Sequence, residues 1–222
     1  MNSTGIVSIL ENDIQADIIE RKELLLQTKT FHLRYSLNAN DQQYFLNYSF
    51  PIIYSVWEGF IQTTFQTYVR EINRLNLRME EYCDSLKIYN LELRVKQLKK
   101  YPSELSKKVA MISKLQQLIN SESFQISPIV DTKSNVGFDV LNNILASFNL
   151  KPIPDYLRPR YSIAIELDKF LLKIRNDIAH GNNAIIVTTD DVSRAIEVVE
   201  ILMDEVYERL KNGFIHDFSF KA

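Results

Sequence analysis

Apolar residues return every three or four positions in four long runs of this chain, and that spacing constrains its fold more than any other feature. Val7, Leu10, Ile14, Ile18 and Leu25, with Arg21 in the same stripe, mark a first run from about residue 7 to 35. Phe45, Tyr48, Ile52, Val56, Phe60 and Thr63 mark a second, which runs on toward Leu75. Ile163, Leu167, Phe170, Leu171, Ile174 and Ile178 form a third with heptad-like spacing, and Val192, Ala195, Ile196, Val199, Met203, Val206 and Leu210 a fourth. A period near 3.6 residues puts each set on one face of a helix. Only 5 Gly and 6 Pro occur in 222 residues, little material for the tight turns of a sandwich or barrel. The expected fold is all-α.

The breaks between runs are also legible. The stretch Asn38 to Asn40 ends the first helix, and Asn40 or Asp41 is read as the cap of the second. Pro51 lies inside that second helix and is expected to kink or divide it, because it removes a donor and crowds the preceding turn. Around it, SFPIIYSVWEGFIQTTF is apolar on more than one side, which suits the centre of a core or a helix shared between a core and a subunit interface. Residues 79–127 are more polar and hold two helical segments, Ser85 to Lys99 and Ser103 to Asn120, separated by Pro102. They read as a helical insertion in a single domain spanning 1–222, with the motif-bearing helices in 128–211. A short helix is expected from about Val136 to Phe148, stopped by the prolines at 152 and 154. Gly181 is placed to close the third run in a left-handed conformation. AIIVT after it reads as a loop, and Thr189 or Asp190 as the cap of the last helix.

Several function classes are disfavoured. A single cysteine, Cys83, cannot form an intramolecular disulfide or a thiolate metal site, and it has no neighbouring His in sequence to activate it. No HExxH, Cys/His set or Gly-rich phosphate loop occurs, so neither a metal nor a cofactor is expected. No run approaches the roughly 18 apolar residues of a membrane span. The first twenty residues lack the basic-then-apolar order of a signal peptide, so a cytoplasmic protein is expected. The acid pairs Glu80–Glu81 and Asp190–Asp191 are consecutive, point apart on a helix, and read as solvated faces or caps. The net charge of −2 argues against a chain coated for nucleic acid. Charge is nonetheless uneven: Lys96, Lys99, Lys100, Lys107 and Lys108 fall in a stretch with Glu104 as its one acid. The ordinary reading of such a run is a solvated helix face; were the partner RNA, these lysines would follow its backbone.

The chemistry concentrates in RNDIAHG, residues 175–181, which holds one of only three histidines. Of the others, His32 lies in a polar amphipathic run and His216 in the tail. Arg175 supplies a forked, permanent charge suited to phosphate oxygens. His180, in a last helical turn, sits where the negative end of the helix favours its charged form, as a proton donor or a switchable acid and base requires. Asn176 adds neutral donors, and Asp177 either orients the histidine or faces water. Asp168 lies two turns before Arg175 on the same face, placed to orient the guanidinium. These are the groups needed to cleave an RNA phosphodiester, with the substrate's 2′-OH as nucleophile. The structural alternative is a dipole-complementing cap beside a surface arginine. Geometry also objects to a self-contained site: five residues apart on a helix, Arg175 and His180 diverge by ~140°, and they converge only if the helix ends between them or a second copy of the motif completes the site.

RNDIAHG resembles the Arg-x4-His motif of the HEPN superfamily, the helical ribonuclease domains of many bacterial toxin and anti-phage systems. YSVWEGFIQTTF (54–65) and KSNVGFDVLNNIL (133–145) resemble segments of its RiboL-PSP-HEPN branch, so the likeness runs from about Asp41 to Leu210. It implies a HEPN-like helical bundle and an endoribonuclease that needs no metal. It further implies a homodimer whose two motifs face each other, cleaving RNA to a 2′,3′-cyclic phosphate and a 5′-OH. On that likeness Arg175 and His180 are the catalytic pair, Asn176 the polar residue after the arginine, and Asp168 an upstream acid. An antitoxin or other regulatory protein would be the partner. The alternative the likeness leaves open is a non-catalytic HEPN module that binds RNA, a nucleotide or a partner protein.

Overall fold

A computed structural model describes residues 3–121, 124–133, 135–159, 161–182, 184–215 and 219–222, with side chains from residue 9 onward. The side chain of Val7, and Ser134, Asn183 and His216, lie outside the described residues. Among the described residues the regular structure is helical apart from one two-stranded hairpin and an isolated bridge between Tyr82 and Lys221.

Helix α1 (Ser3–Arg34) buries Leu10, Ile14, Ile18 and Leu25. Arg21 belongs in that stripe because its guanidinium reaches across to helix α2 (Ala39–Arg74). It pairs with Asp17 at 2.8 Å and donates to the Val56 carbonyl at 3.0 Å and the Thr63 hydroxyl at 3.1 Å. Gly59 makes room: a Cβ there would stand 3.0 Å from Arg21 Nη1. The cap of α2 is Asn38, two or three residues earlier than the expected Asn40 or Asp41, and its side-chain oxygen accepts from the Asp41 N–H at 3.0 Å. Pro51 does not divide α2, which runs unbroken through it.

The buried face of α2 also differs from the expected stripe. Phe50, Ile53, Tyr54, Trp57, Phe60, Ile61, Phe65 and Tyr68 are buried, whereas Tyr48, Ile52 and Thr63 are exposed. A segment apolar on several sides satisfies more than one helical stripe, so periodicity alone could not choose the face. The choice follows from burying α2 against α1 on one side and helix α7 (Thr189–Ile215) on another; α1 and α7 also touch, closing a three-helix core.

The 79–127 region divides. Helix α3 (Asp84–Arg94) packs against helix α5 (Phe138–Ser147), and its buried Asn90 accepts from the Ser127 N–H at 2.8 Å and donates to the Gln125 carbonyl at 3.1 Å. Helix α4 (Leu105–Ile119) buries Met111 alone, leaving Leu105, Val109 and Ile112 exposed. Cys83 is buried.

Strands β1 (Tyr156–Arg158) and β2 (Tyr161–Ser162) form a small antiparallel hairpin that periodicity does not reveal. Asp155 ties it to the start of the next helical segment, accepting from the Ser162 hydroxyl at 2.7 Å and the Ala164 N–H at 2.8 Å. The third apolar run is not a uniform α-helix either. Ile165–Leu172 winds as a π-helix and only Lys173–Ala179, helix α6, is α-helical. The wider turn changes the angular relation between Asp168 and Arg175 that a straight α-helix would set. Residues 184–188 hold no strand, and no helix among the described residues is long and apolar enough to cross a membrane.

Burial pushes the phenols of Tyr54, Tyr82, Tyr89 and Tyr161 up to about 12 and that of Tyr68 further still. The native state therefore prefers the neutral phenol more than the unfolded chain does. Its contribution is complete below about pH 10, the unfolded value, and is lost as pH rises through about 10 to 12. Urea unfolding is expected to show a midpoint that falls between pH 9 and pH 12; an unchanged midpoint would contradict a role for the buried phenols.

Candidate active site

Arg175 is half-buried in α6, with its guanidinium carbon 4.3 Å from the centroid of the Tyr54 ring on α2. Its Nη1 donates to the side-chain oxygens of Asn135 at 3.1 Å and Asn176 at 2.7 Å. The acceptors are neutral, and among the described residues no carboxylate pairs with this arginine. Burial is the main reason the Tyr54 phenol is raised to about 12, so at neutral pH the ring is an uncharged face for the cation.

Asn135 owes its place to α2. The Val136 N–H donates to the Tyr54 hydroxyl at 2.8 Å, and Trp57 Nε1 donates to the Val136 carbonyl at 2.9 Å. One residue earlier than Lys133, Thr132 donates to Glu58 at 3.2 Å. Tyr54, Trp57 and Glu58 thus hold the loop before α5 along three successive contacts, and the loop holds Asn135 against Arg175. All three stretches that carry the family likeness meet here. Sequence alone gives Tyr54 and Asn135 no role of their own; their place within the two segments of family likeness was the available signal.

Asp168 does not touch the guanidinium. Its Oδ1 accepts from the Phe138 N–H at 2.9 Å, at the first turn of α5. Its effect on Arg175 therefore runs through the loop that carries Asn135. The approach is close enough to require Gly137, where a Cβ would stand 2.6 Å from the Asp168 oxygen.

His180 is the C-cap of α6, its backbone N–H bonded to the Asn176 carbonyl at 2.9 Å, and its side chain is exposed. Gly181 follows at φ 80°, the left-handed conformation expected of it. Among the described residues no side-chain hydrogen bond links Asp177 to His180; the Asp177 backbone carbonyl accepts from the Asn182 N–H at 2.9 Å. The Asn176 side-chain oxygen is engaged by the Arg175 guanidinium.

The lysines do not gather at the motif. Lys107 pairs with Glu104 at 2.6 Å and Lys108 lies over the Tyr101 ring, both at the α4 end of the insertion. Lys96 and Lys100 are exposed. Lys99 comes nearest the site loop, 3.4 Å from Asp131. Among the described residues no group of three or more His, Cys, Asp or Glu side chains is arranged to hold a metal.

An all-helical bundle whose penultimate helix ends in Arg-x4-His is the arrangement of a HEPN domain. The family model described as RiboL-PSP-HEPN matches residues 16–212, and the chain belongs to that family. No curated protein and no solved structure shows significant similarity to it. HEPN domains are commonly ribonucleases and some are non-catalytic, so membership indicates a nuclease or RNA-related role.

The loop contact gives a test. Asp168→Ala leaves the Phe138 N–H without its acceptor and is expected to cost about 1 kcal/mol in urea unfolding. Asp168→Asn keeps an oxygen in place and should cost a few tenths. Equal losses for the two would mean that charge, not the hydrogen bond, holds the loop.

Proposed function

We propose that this chain is a metal-independent endoribonuclease acting as a homodimer. Arg175 binds the scissile phosphate and stabilises charge on its oxygens as the substrate's 2′-OH attacks. His180 exchanges protons with the 2′-OH or the leaving 5′ oxygen, giving a 2′,3′-cyclic phosphate and a 5′-OH. Asn135 and Asn176 position the arginine. The supporting observation is the state of Arg175: a fixed guanidinium with neutral partners keeps its full charge for an anion.

Two copies are invoked because α6 is regular from Lys173 to Ala179 and the His180 N–H, at its cap, still bonds back to the Asn176 carbonyl; on that helical track side chains at 175 and 180 diverge by ~140°, too far for one motif to converge on one phosphate. A second motif facing the first supplies the missing half. In the cell we place the protein in the cytoplasm, as a toxin or anti-phage effector held by a regulatory partner.

A second reading has its own support. His180 is exposed and, among the described residues, has no side-chain partner to fix its orientation, which suits a HEPN module that binds RNA, a nucleotide or a protein without cleaving. Incubation of the purified chain with RNA in EDTA separates the two. The expected result is cleavage with cyclic phosphate ends, reduced at least ~100-fold by Arg175→Ala and by His180→Ala separately. Cleavage that survives either substitution, or that requires added metal, would overturn the mechanism. Light scattering after size exclusion is expected to report a dimer, and a monomer that cleaves at the full rate would remove the shared site.

A further inference from the structure

A cavity of about 200 Å³ opens beside the motif, between the first turns of α2 and the end of α6. Its lining is Asn40, Gln43, Tyr44, Asn47 and Tyr48 from α2 with Ile178 and Asn182, the residues two before and two after His180. We infer that this cavity takes an unpaired nucleobase of the RNA, next to the scissile phosphate. The inference rests on the ribonuclease reading for its substrate class, and it adds where a base would be read.

The lining has the chemistry of a base site. Tyr44 and Tyr48 are four residues apart on one helix face and are 66% and 56% exposed. Other exposed rings are engaged, Phe31 against Tyr35 and Tyr101 under Lys108, although Tyr156 of β1 is exposed as well. Tyr44 and Tyr48 have no ring, cation or hydrogen-bond partner among the described residues. Every base has a π-face that such rings can stack on, whatever its edge. Apart from Ile178 the remaining walls are amides, which match the mixed donors and acceptors of a base edge better than they match the apolar centre of a subunit contact.

The wall is also preformed. Gln43 Nε2 donates to the Val187 carbonyl at 3.0 Å and to Asn47 Oδ1 at 3.0 Å. Asn47 in turn donates to the Ile185 carbonyl at 3.1 Å and accepts from the Val187 N–H at 3.2 Å. These bonds clip the segment after the motif onto α2, so the cavity keeps its shape without a ligand. Asn40 at one rim, and the amide nitrogen of Asn182 at the other, are left to face the base; the Asn182 oxygen accepts from the Ala184 N–H at 3.2 Å.

The test uses the full chain carrying His180→Ala, so that RNA stays intact during binding. Its affinity is measured for a single-stranded RNA and for an abasic oligomer with the same sugar-phosphate backbone. Tyr44→Ala and Tyr48→Ala are each expected to weaken RNA binding about tenfold and to leave the abasic oligomer unchanged. Asn40→Ala is expected to alter the ratio of affinities for adenine and uracil homopolymers. Both tyrosines are exposed, so their truncation leaves the core intact. Equal losses on both oligomers, or no loss on either, overturn the inference. So does conversion of a dimer to a monomer by these substitutions, which would make the face a subunit contact. Base-dependent losses in a chain that does not cleave RNA would keep the cavity and discard the nuclease, whereas normal cleavage without base-dependent losses would discard the cavity alone.

Discussion

The hydrogen bonds from α2 to Val136 are the contacts on which the site depends. Tyr54 accepts from the N–H of this residue and Trp57 donates to its carbonyl, so both backbone polar groups are satisfied inside the protein by side chains one helical turn apart. Leaving either unpaired where Val136 is fully buried would cost about 1–3 kcal/mol, a large part of the stability of a typical domain. That constraint fixes the neighbours on each side. Asn135 is turned toward Arg175, and Gly137 is pressed against Asp168. Core packing and site geometry are thus the same set of contacts, since Tyr54 and Trp57 are also among the largest fully buried side chains.

How much of this was readable in the chain depends on distance along it. Helices announce themselves locally, and the runs ending near Arg34, Arg74 and Ile215 were legible from their spacing. Gly181 was legible for a similar reason, since a helix-ending glycine has a short-range geometric cause. Which side of α2 is buried was not, because Tyr48 and Ile52 fit an apolar stripe as well as Ile53 and Trp57 do; their exposure is decided by where α1 and α7 dock. The Arg175 to Asn135 bond spans forty residues and two helices, and nothing in the local pattern around either residue encodes it. Family likeness pointed to the right segments there, while periodicity could not.

The π-helix at Ile165–Leu172 explains why Asp168 meets α5 instead of Arg175. Seven residues on a straight α-helix return nearly to the same face, which is what suggested that Asp168 orients the guanidinium. Winding the intervening segment more widely breaks that relation, and Asp168 is spent on the start of α5. The same segment carries Glu166, which is buried and meets Arg194 of α7 in two bonds of 2.7 Å. One irregular stretch therefore anchors both neighbouring helices.

Charge pairing is common across the bundle, although Arg94, held by the Asn90 side-chain oxygen and the Gln125 carbonyl, shares with Arg175 a set of neutral acceptors. Arg21, Arg70, Arg74, Arg194 and Arg209 each meet a carboxylate from their own helix or a neighbour. Even Glu71, fully buried, is matched by two arginines. Carboxylates are also at hand for Arg175 in the sequence, with Asp168 and Asp177 both within seven residues. The chain supplies amide oxygens and an aromatic face instead, which hold the guanidinium without neutralising it. The energetic consequence favours an anion from outside: a carboxylate partner would have to be displaced before phosphate could bind, whereas Asn135, Asn176 and Tyr54 can stay in place while it does.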